Sequence, residues 1–110
     1  MKQGEIWELY LDPVEGSEQA GRRPAVIISG DMMNEHLSVV IVCPLTTKVK
    51  GYKGNLIINP NETNGLLEMS EVLTFHIQSV SKQRLKKQLG RISEGEVSEI
   101  KECLGDILRY

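Results

Sequence analysis

The stretch GSEQAGRRPAVIIS, residues 16–29, sets a glycine, a carboxylate, a second glycine and two arginines directly before an apolar run. Ala25 to Ser29 reads as a short buried strand, because its successive apolar residues leave no polar face. Gly16 and Gly21 mark the preceding segment as a loop, and Pro24 fixes the backbone where loop becomes strand. A plain hairpin needs only turn residues. Glu18, Arg22 and Arg23 on a segment anchored in this way point to a loop that holds something. On its N-terminal side, EIWELYL (residues 5–11) alternates Ile6, Glu8 and Tyr10 with Trp7, Leu9 and Leu11, and Asp12-Pro13 ends it. On its C-terminal side, GDMMNEH reads as a connecting loop. LSVVIVCPLT (residues 37–46) then reads as a second buried strand, with Pro44 demanding a bulge, bend or edge near its end.

Further along, KGYKG marks a turn, NLIIN a short strand and PNETNG another turn. LEMSEVLTFHIQSV (residues 67–80) is the longest β-type stretch, to be read as two strands or one strongly bent strand. SKQRLKKQ is expected to form a helical turn, and LGRIS a short final strand. The chain then closes on a helix. Ser93 and Glu96 fit an S-x-x-E capping box, and Val97, Ile100, Leu104, Ile107 and Leu108 recur at helical spacing. Many short strands with one closing helix imply a mainly β fold, a small and partly open barrel. A length of 110 residues implies a single domain, residues 1–110.

Composition excludes several classes. Hydrophobic residues make up 40% and charged residues 25% of the chain, as in globular proteins. No apolar run approaches the ~18 residues of a membrane span. MKQGEIWELYLD shows no export signal, so a cytoplasmic protein without membrane contact is expected. The net charge of −2 argues against a uniformly basic nucleic-acid binder but hides an uneven distribution. Lys48, Lys50 and Lys53 form one acid-free segment, and Lys82, Arg84, Lys86, Lys87 and Arg91 another. The tail is acidic, with Glu94, Glu96, Glu99, Glu102 and Asp106. Cys43 and Cys103 make no CxxC pair and read as small buried residues. His36 and His76 are the only histidines, and no HExxH motif, P-loop or G-x-S-x-G elbow occurs. No metal and no cofactor are expected.

What remains is the Glu18/Arg22/Arg23 loop and a second loop, CPLTTKVKGYKG. Guanidinium groups match phosphate or carboxylate with paired donors, and Thr46 and Thr47 offer hydroxyls at a strand end. RNA supplies its own nucleophile, the 2′-hydroxyl. An arginine, a hydroxyl and a carboxylate would therefore suffice to cleave it without metal. A turn loop whose arginines make surface salt bridges fits the same residues, and the chemistry alone leaves both readings open.

DPVEGSEQAGRRPAVIIS resembles the signature loop and second strand of the MazF/PemK family of toxin endoribonucleases. GEIWELYLDP, VIVCPLTTKVKGY and SEVLTFHIQSVSKQRL are similar to that family's first strand, its third strand with the following loop, and its late strand. The resemblance implies an SH3-like barrel with a C-terminal helix and a homodimer. It also implies metal-independent cleavage of single-stranded RNA at short sequences, leaving a 2′,3′-cyclic phosphate and a 5′-hydroxyl. A cognate acidic antitoxin would neutralise the enzyme by laying a largely disordered segment along the RNA groove. By the same resemblance Arg23 matches the catalytic arginine, Thr46 the catalytic threonine and Glu18 the loop glutamate. Arg22 falls where relatives vary and is expected to contact phosphate at most. Gly16, Ser17, Gln19, Thr47, Lys48 and Lys50 are expected along the RNA. One departure is Phe75-His76, where many members carry Asp-Gln; His76 there would read or stack on a base. A non-enzymatic, CcdB-like gyrase-targeting toxin on the same fold is the alternative, and an SH3-like interaction domain a third reading. The Glu18/Arg23/Thr46 set favours the ribonuclease.

Overall fold

The computed structural model describes residues 1–11 and 22–109. Along the chain these form β1 (Glu5–Tyr10), β2 (Arg22–Ile27), α1 (Asp31–His36), β3 (Val39–Thr46), β4 (Ile57–Ile58) and β5 (Ser70–Val72), then β6 (Gln78–Ser81), β7 (Leu85–Arg91) and α2 (Glu94–Arg109). Short 3-10 turns at Thr74–His76 and Lys82–Arg84 flank β6. The strands join in the order β4-β5-β3-β2-β1-β7, with β6 also paired to β3. Two register shifts between β1 and β7, at Ile6/Trp7 and Glu8/Leu9, add local twist and help curl the sheet into a half barrel. The mainly β fold with a closing helix is as expected from the sequence.

The central strands read as unbroken apolar runs because both of their faces are covered. On one face Ile6, Val26, Cys43 and Leu45 pack with Ile58, Val72, Val97 and Ile100; on the other Leu9, Ala25, Ile27, Val40 and Val42 pack with Val80 and Leu85. Neighbours in sequence therefore serve opposite cores, as the period of two in a strand requires. Pro44 sits inside β3 opposite Ala25 of β2. On the other edge of β3 the partner changes there, from β6 along Val39–Val42 to β5 along Leu45–Thr46. The proline, which lacks an N–H, stands where the strand changes neighbours, and its carbonyl accepts a hydrogen bond from the Leu73 N–H at 2.8 Å.

Three sequence readings change. GDMMNEH is a helix, α1, and not a loop. The buried Asn34 side chain holds it, donating from Nδ2 to the Ser29 carbonyl at 2.9 Å and accepting from the Ser29 hydroxyl, while Lys82 Nζ donates to the Asn34 carbonyl. The first buried strand opens at Arg22 rather than Ala25, since its leading residues pair with Tyr10, Leu9 and Glu8 of β1. The last strand begins at Leu85 rather than Leu89. Its polar Lys86, Lys87 and Gln88 are exposed on an edge strand, so only Lys82–Arg84 make the helical turn. The 67–80 stretch does divide into two strands, β5 and β6, around the Thr74–His76 turn.

The capping box forms as expected: Ser93 N–H donates to Glu96 Oε1 at 2.9 Å, and Glu96 N–H to Ser93 Oγ at 3.1 Å. Val97, Ile100 and Cys103 are buried and Leu104 is half-buried against the core. The stripe leaves the core in its final turn, where Ile107 and Leu108 are exposed.

Candidate functional site

β2 and β3 run antiparallel with Ile27 opposite Val42, Val26 opposite Cys43 and Ala25 opposite Pro44. Carrying that register two residues outward puts Arg23 opposite Thr46. The two meet at a cleft of about 210 Å³ lined by Arg23, Pro24, Leu45, Thr46, Thr47 and Lys48. Arg23 and Thr46 are half-buried, and Thr47 and Lys48 are exposed. The described lining thus carries two cations, two hydroxyls and no acid. Thr46 Oγ1 accepts the Lys48 N–H at 3.1 Å, so its own proton remains to be donated.

Alternation along β2 sends Arg22 elsewhere. Its guanidinium lies 3.9 Å from Glu8 Oε1 and 5.7 Å from the centre of the Tyr10 ring. A larger groove of about 440 Å³ lies beside the start of α2, between Gln3, Asn61, Thr63, Arg91 and Glu94. Its Glu96 is already engaged in the capping box, and its acids offset Arg91. The smaller cleft has the better chemistry for an anion.

Behind the cleft lies a residue that the sequence reading missed. Glu71 of β5 stands opposite Thr46 in the β3–β5 register and is fully buried. Its Oε1 accepts the N–H groups of Lys50 at 2.8 Å and Gly51 at 2.9 Å. Its Oε2 accepts the Tyr52 N–H at 3.0 Å and Asn55 Nδ2 at 2.9 Å. Burial pushes the carboxyl pKa up, but these donors outweigh it and hold it below its ordinary value. Asn55 in turn accepts from the Thr74 hydroxyl at 2.6 Å, and Thr74 Oγ1 lies 3.2 Å from Cys103 Sγ of α2. The 50–55 loop is therefore fixed from beneath. The only sequence signal was a Glu one residue from Val72 in a strand.

A model of the PemK-like, MazF-like toxins of type II toxin-antitoxin systems matches residues 2–108. The chain belongs to this family. It is 34% identical to endoribonuclease MazF9 of Mycobacterium tuberculosis, over 94% of this chain and 92% of that protein. Among solved structures it is similar to MazF of Deinococcus radiodurans, with a TM-score of 0.81 and 29% identity over 100% of this chain and 97% of that one. It is also similar to a MazE-MazF structure from D. radiodurans, with a TM-score of 0.78 and 27% identity over 98% and 95% of the two chains.

Within this PemK-like, MazF-like frame, Arg23, Thr46, Thr47 and Lys48 come together at the cleft. Lys50 is exposed on the loop that Glu71 holds. His76 lies on the exposed 3-10 turn, its ring 4.7 Å from that of Phe75, which meets Tyr52 edge-on at 5.3 Å. Glu18, Gly16, Ser17 and Gln19 lie outside the described residues. Both cysteines are buried, as expected. Burial, and then the nearby Cys103, pushes the Cys43 thiol up to about 12, which removes it as a nucleophile.

Proposed function

We propose that residues 1–110 form one toxin domain that cleaves single-stranded RNA, mRNA above all, at a short sequence. It leaves a 2′,3′-cyclic phosphate and a 5′-hydroxyl and uses no metal. The observation that carries this reading is the meeting of Arg23 and Thr46 in one cationic cleft in a chain of this family. The substrate's 2′-hydroxyl gives up its proton and attacks the adjacent phosphorus; the bond to the 5′-oxygen breaks, and that oxygen takes up a proton to leave as the 5′-hydroxyl. Arg23 donates to the non-bridging oxygens, where negative charge grows in the phosphorane; it stays protonated and is no base. Thr46 donates its hydroxyl proton to the same oxygens or relays a proton. Lys48 draws the neighbouring phosphate to the rim. Glu18, in the segment before β2, is the natural base for the 2′-hydroxyl. Sequence choice falls to exposed residues such as Thr47, Lys48 and His76.

The proposed protein is cytoplasmic, works as a homodimer and is neutralised by an acidic antitoxin. Exposed apolar side chains, Leu67 and Leu108 among them, offer surface for a second copy, and the solved MazE-MazF relative supports a protein partner. No helix among the described residues is long and apolar enough to cross a membrane. The test is incubation with a long single-stranded RNA in EDTA, with mapping of both new ends. Cyclic phosphate and 5′-hydroxyl ends are expected. Activity that needs added magnesium, or intact RNA, would overturn the reading. Light scattering at micromolar concentration checks the dimer.

A further inference from the structure

From the buried carboxylate that stands opposite Thr46, and resting on the ribonuclease reading above, we infer that Glu71 is a positioning residue. It sets the segment that presents Thr46, Thr47 and Lys48 to RNA. That segment is short and held at both ends. At one end Thr46 pairs with Glu71 itself across β3 and β5. At the other end the N–H groups of Lys50, Gly51 and Tyr52 converge on the same carboxylate at 2.8, 2.9 and 3.0 Å. Only Thr47 to Val49 lie between, and Thr47 and Lys48 line the cleft.

The backbone is shaped for this clamp. Gly51 has φ +70° and Gly54 φ +88°, conformations that other residues adopt at a cost, and they let successive N–H groups turn toward one anion. The clamp is also backed from below. Asn55, which donates to Glu71 at 2.9 Å, accepts from Thr74 at 2.6 Å, and Thr74 reaches Cys103 of α2. No lysine or arginine ion pair at the carboxylate is needed, because the four donors take up its oxygens. An anion on the strand next to Thr46 would repel substrate if it were exposed. Its retention here, sealed from solvent and dispersed over N–H dipoles, fits a carboxylate kept for geometry.

The consequence for catalysis is specific. Glu71 touches no substrate, so it acts through the placement of Thr46 and Lys48, and misplacement by about 1 Å costs on the order of 100-fold in rate. Glu71→Gln keeps the size but sets an NH₂ against the inward-pointing N–H groups. We expect kcat per folded molecule to fall 10- to 100-fold through Thr46, with a smaller rise in KM through Thr47 and Lys48. Glu71→Asp should recover part of the loss. Against a Thr46→Val background the same Glu71→Gln change should lower kcat little further, because the hydroxyl through which it acts on kcat is already gone.

The experiment measures cleavage of one fluorescent single-stranded RNA by wild type, E71Q, E71D, T46V and T46V/E71Q, each normalised to folded protein by circular dichroism. Amide hydrogen exchange at Lys50, Gly51 and Tyr52 in the wild type runs beside it and stands even if E71Q does not fold. Slow exchange at those amides and a non-additive double variant support the inference. Unprotected amides, an E71Q kcat equal to wild type, or fully additive losses overturn it. An inactive wild type with protected amides overturns the ribonuclease reading and leaves only a structural clamp.

Discussion

Arg23 and Thr46 face one another because β2 and β3 keep a single register from Ile27–Val42 out to Ala25–Pro44. Neither residue is placed by its own loop. Thr46 follows buried Leu45 directly and Arg23 stands two residues before buried Ala25, so the core ladder fixes one side of the cleft and the Glu71 pairing of β5 the other. Sites built on strand ends in this way hold their geometry better than sites built within loops.

Arg23→Ala should therefore remove activity and spare the fold. The side chain is half-buried at the strand end and outside both core clusters. Loss of one donor to a developing anionic charge costs about 10²–10³ in rate. Single-turnover cleavage together with a thermal melt checks it. Near-wild-type cleavage by a folded variant would remove Arg23 from the reaction.

The two threonines of the cleft should separate. Thr46→Val keeps the shape but loses both the proton donor and the acceptor for the Lys48 N–H, and kcat should fall by at least tenfold. Thr47→Val, at an exposed position, should act mainly on KM. The reverse ranking would transfer the catalytic role to Thr47.

Glu71 gives stability a signed pH dependence. Its folded pKa lies below the ordinary 4.5, because four hydrogen bonds to the carboxylate outweigh the opposing effect of burial. A depressed carboxyl pKa contributes stability that is fully present above the unfolded value and lost as pH falls through the folded one. Urea unfolding of wild type and Glu71→Gln should therefore differ most near pH 7, and the gap should narrow steadily below about pH 4.5. A gap that stays constant down to pH 3 would mean that folding does not lower the Glu71 pKa.

Much of this architecture is legible in the chain. AVII and VVIVC announce strands buried on both faces, and Ser93 with Glu96 announces the start of α2. What is hidden depends on distant partners. α1 has no apolar stripe to betray it, since Asn34 is held by Ser29 and by Lys82 from far along the chain. β7 hides because an edge strand can carry Lys86, Lys87 and Gln88 into solvent. Glu71 looks like a surface acid in EMSEV until the 50–55 loop closes over it. Residue chemistry points to both arginines and both threonines, only the family resemblance selects Arg23 and Thr46 among them, and nothing in their spacing states that they meet. The separation of Arg22 from Arg23, by contrast, follows from the two-residue period of a strand and could have been read directly.

The last prediction concerns the brake. An acidic, disordered partner segment should bind across Arg23 and the Lys48–Lys53 loop and compete with RNA, since both ligands present closely spaced negative charge; Arg22, paired with Glu8, lies off this surface. The rival surface at Lys82–Lys87 is less available. There Lys82 donates to the Asn34 carbonyl, Lys86 to the Gln83 carbonyl at 2.8 Å and Arg84 to the Tyr10 carbonyl, so these cations already have partners in the chain's own backbone. Lys48 and Lys50 lie exposed beside the cleft, on a loop whose backbone is fixed by Glu71. Binding there should weaken as salt rises, because exposed charges are screened over about 8 Å at physiological ionic strength. Titrating the purified antitoxin against a labelled RNA carrying a 2′-deoxy residue at the cut site measures the competition. Lys48→Glu/Lys50→Glu should weaken both ligands, and Lys86→Glu/Lys87→Glu should weaken neither by more than twofold. If antitoxin and RNA bind together without mutual weakening, the shared groove is wrong and inhibition acts from another face.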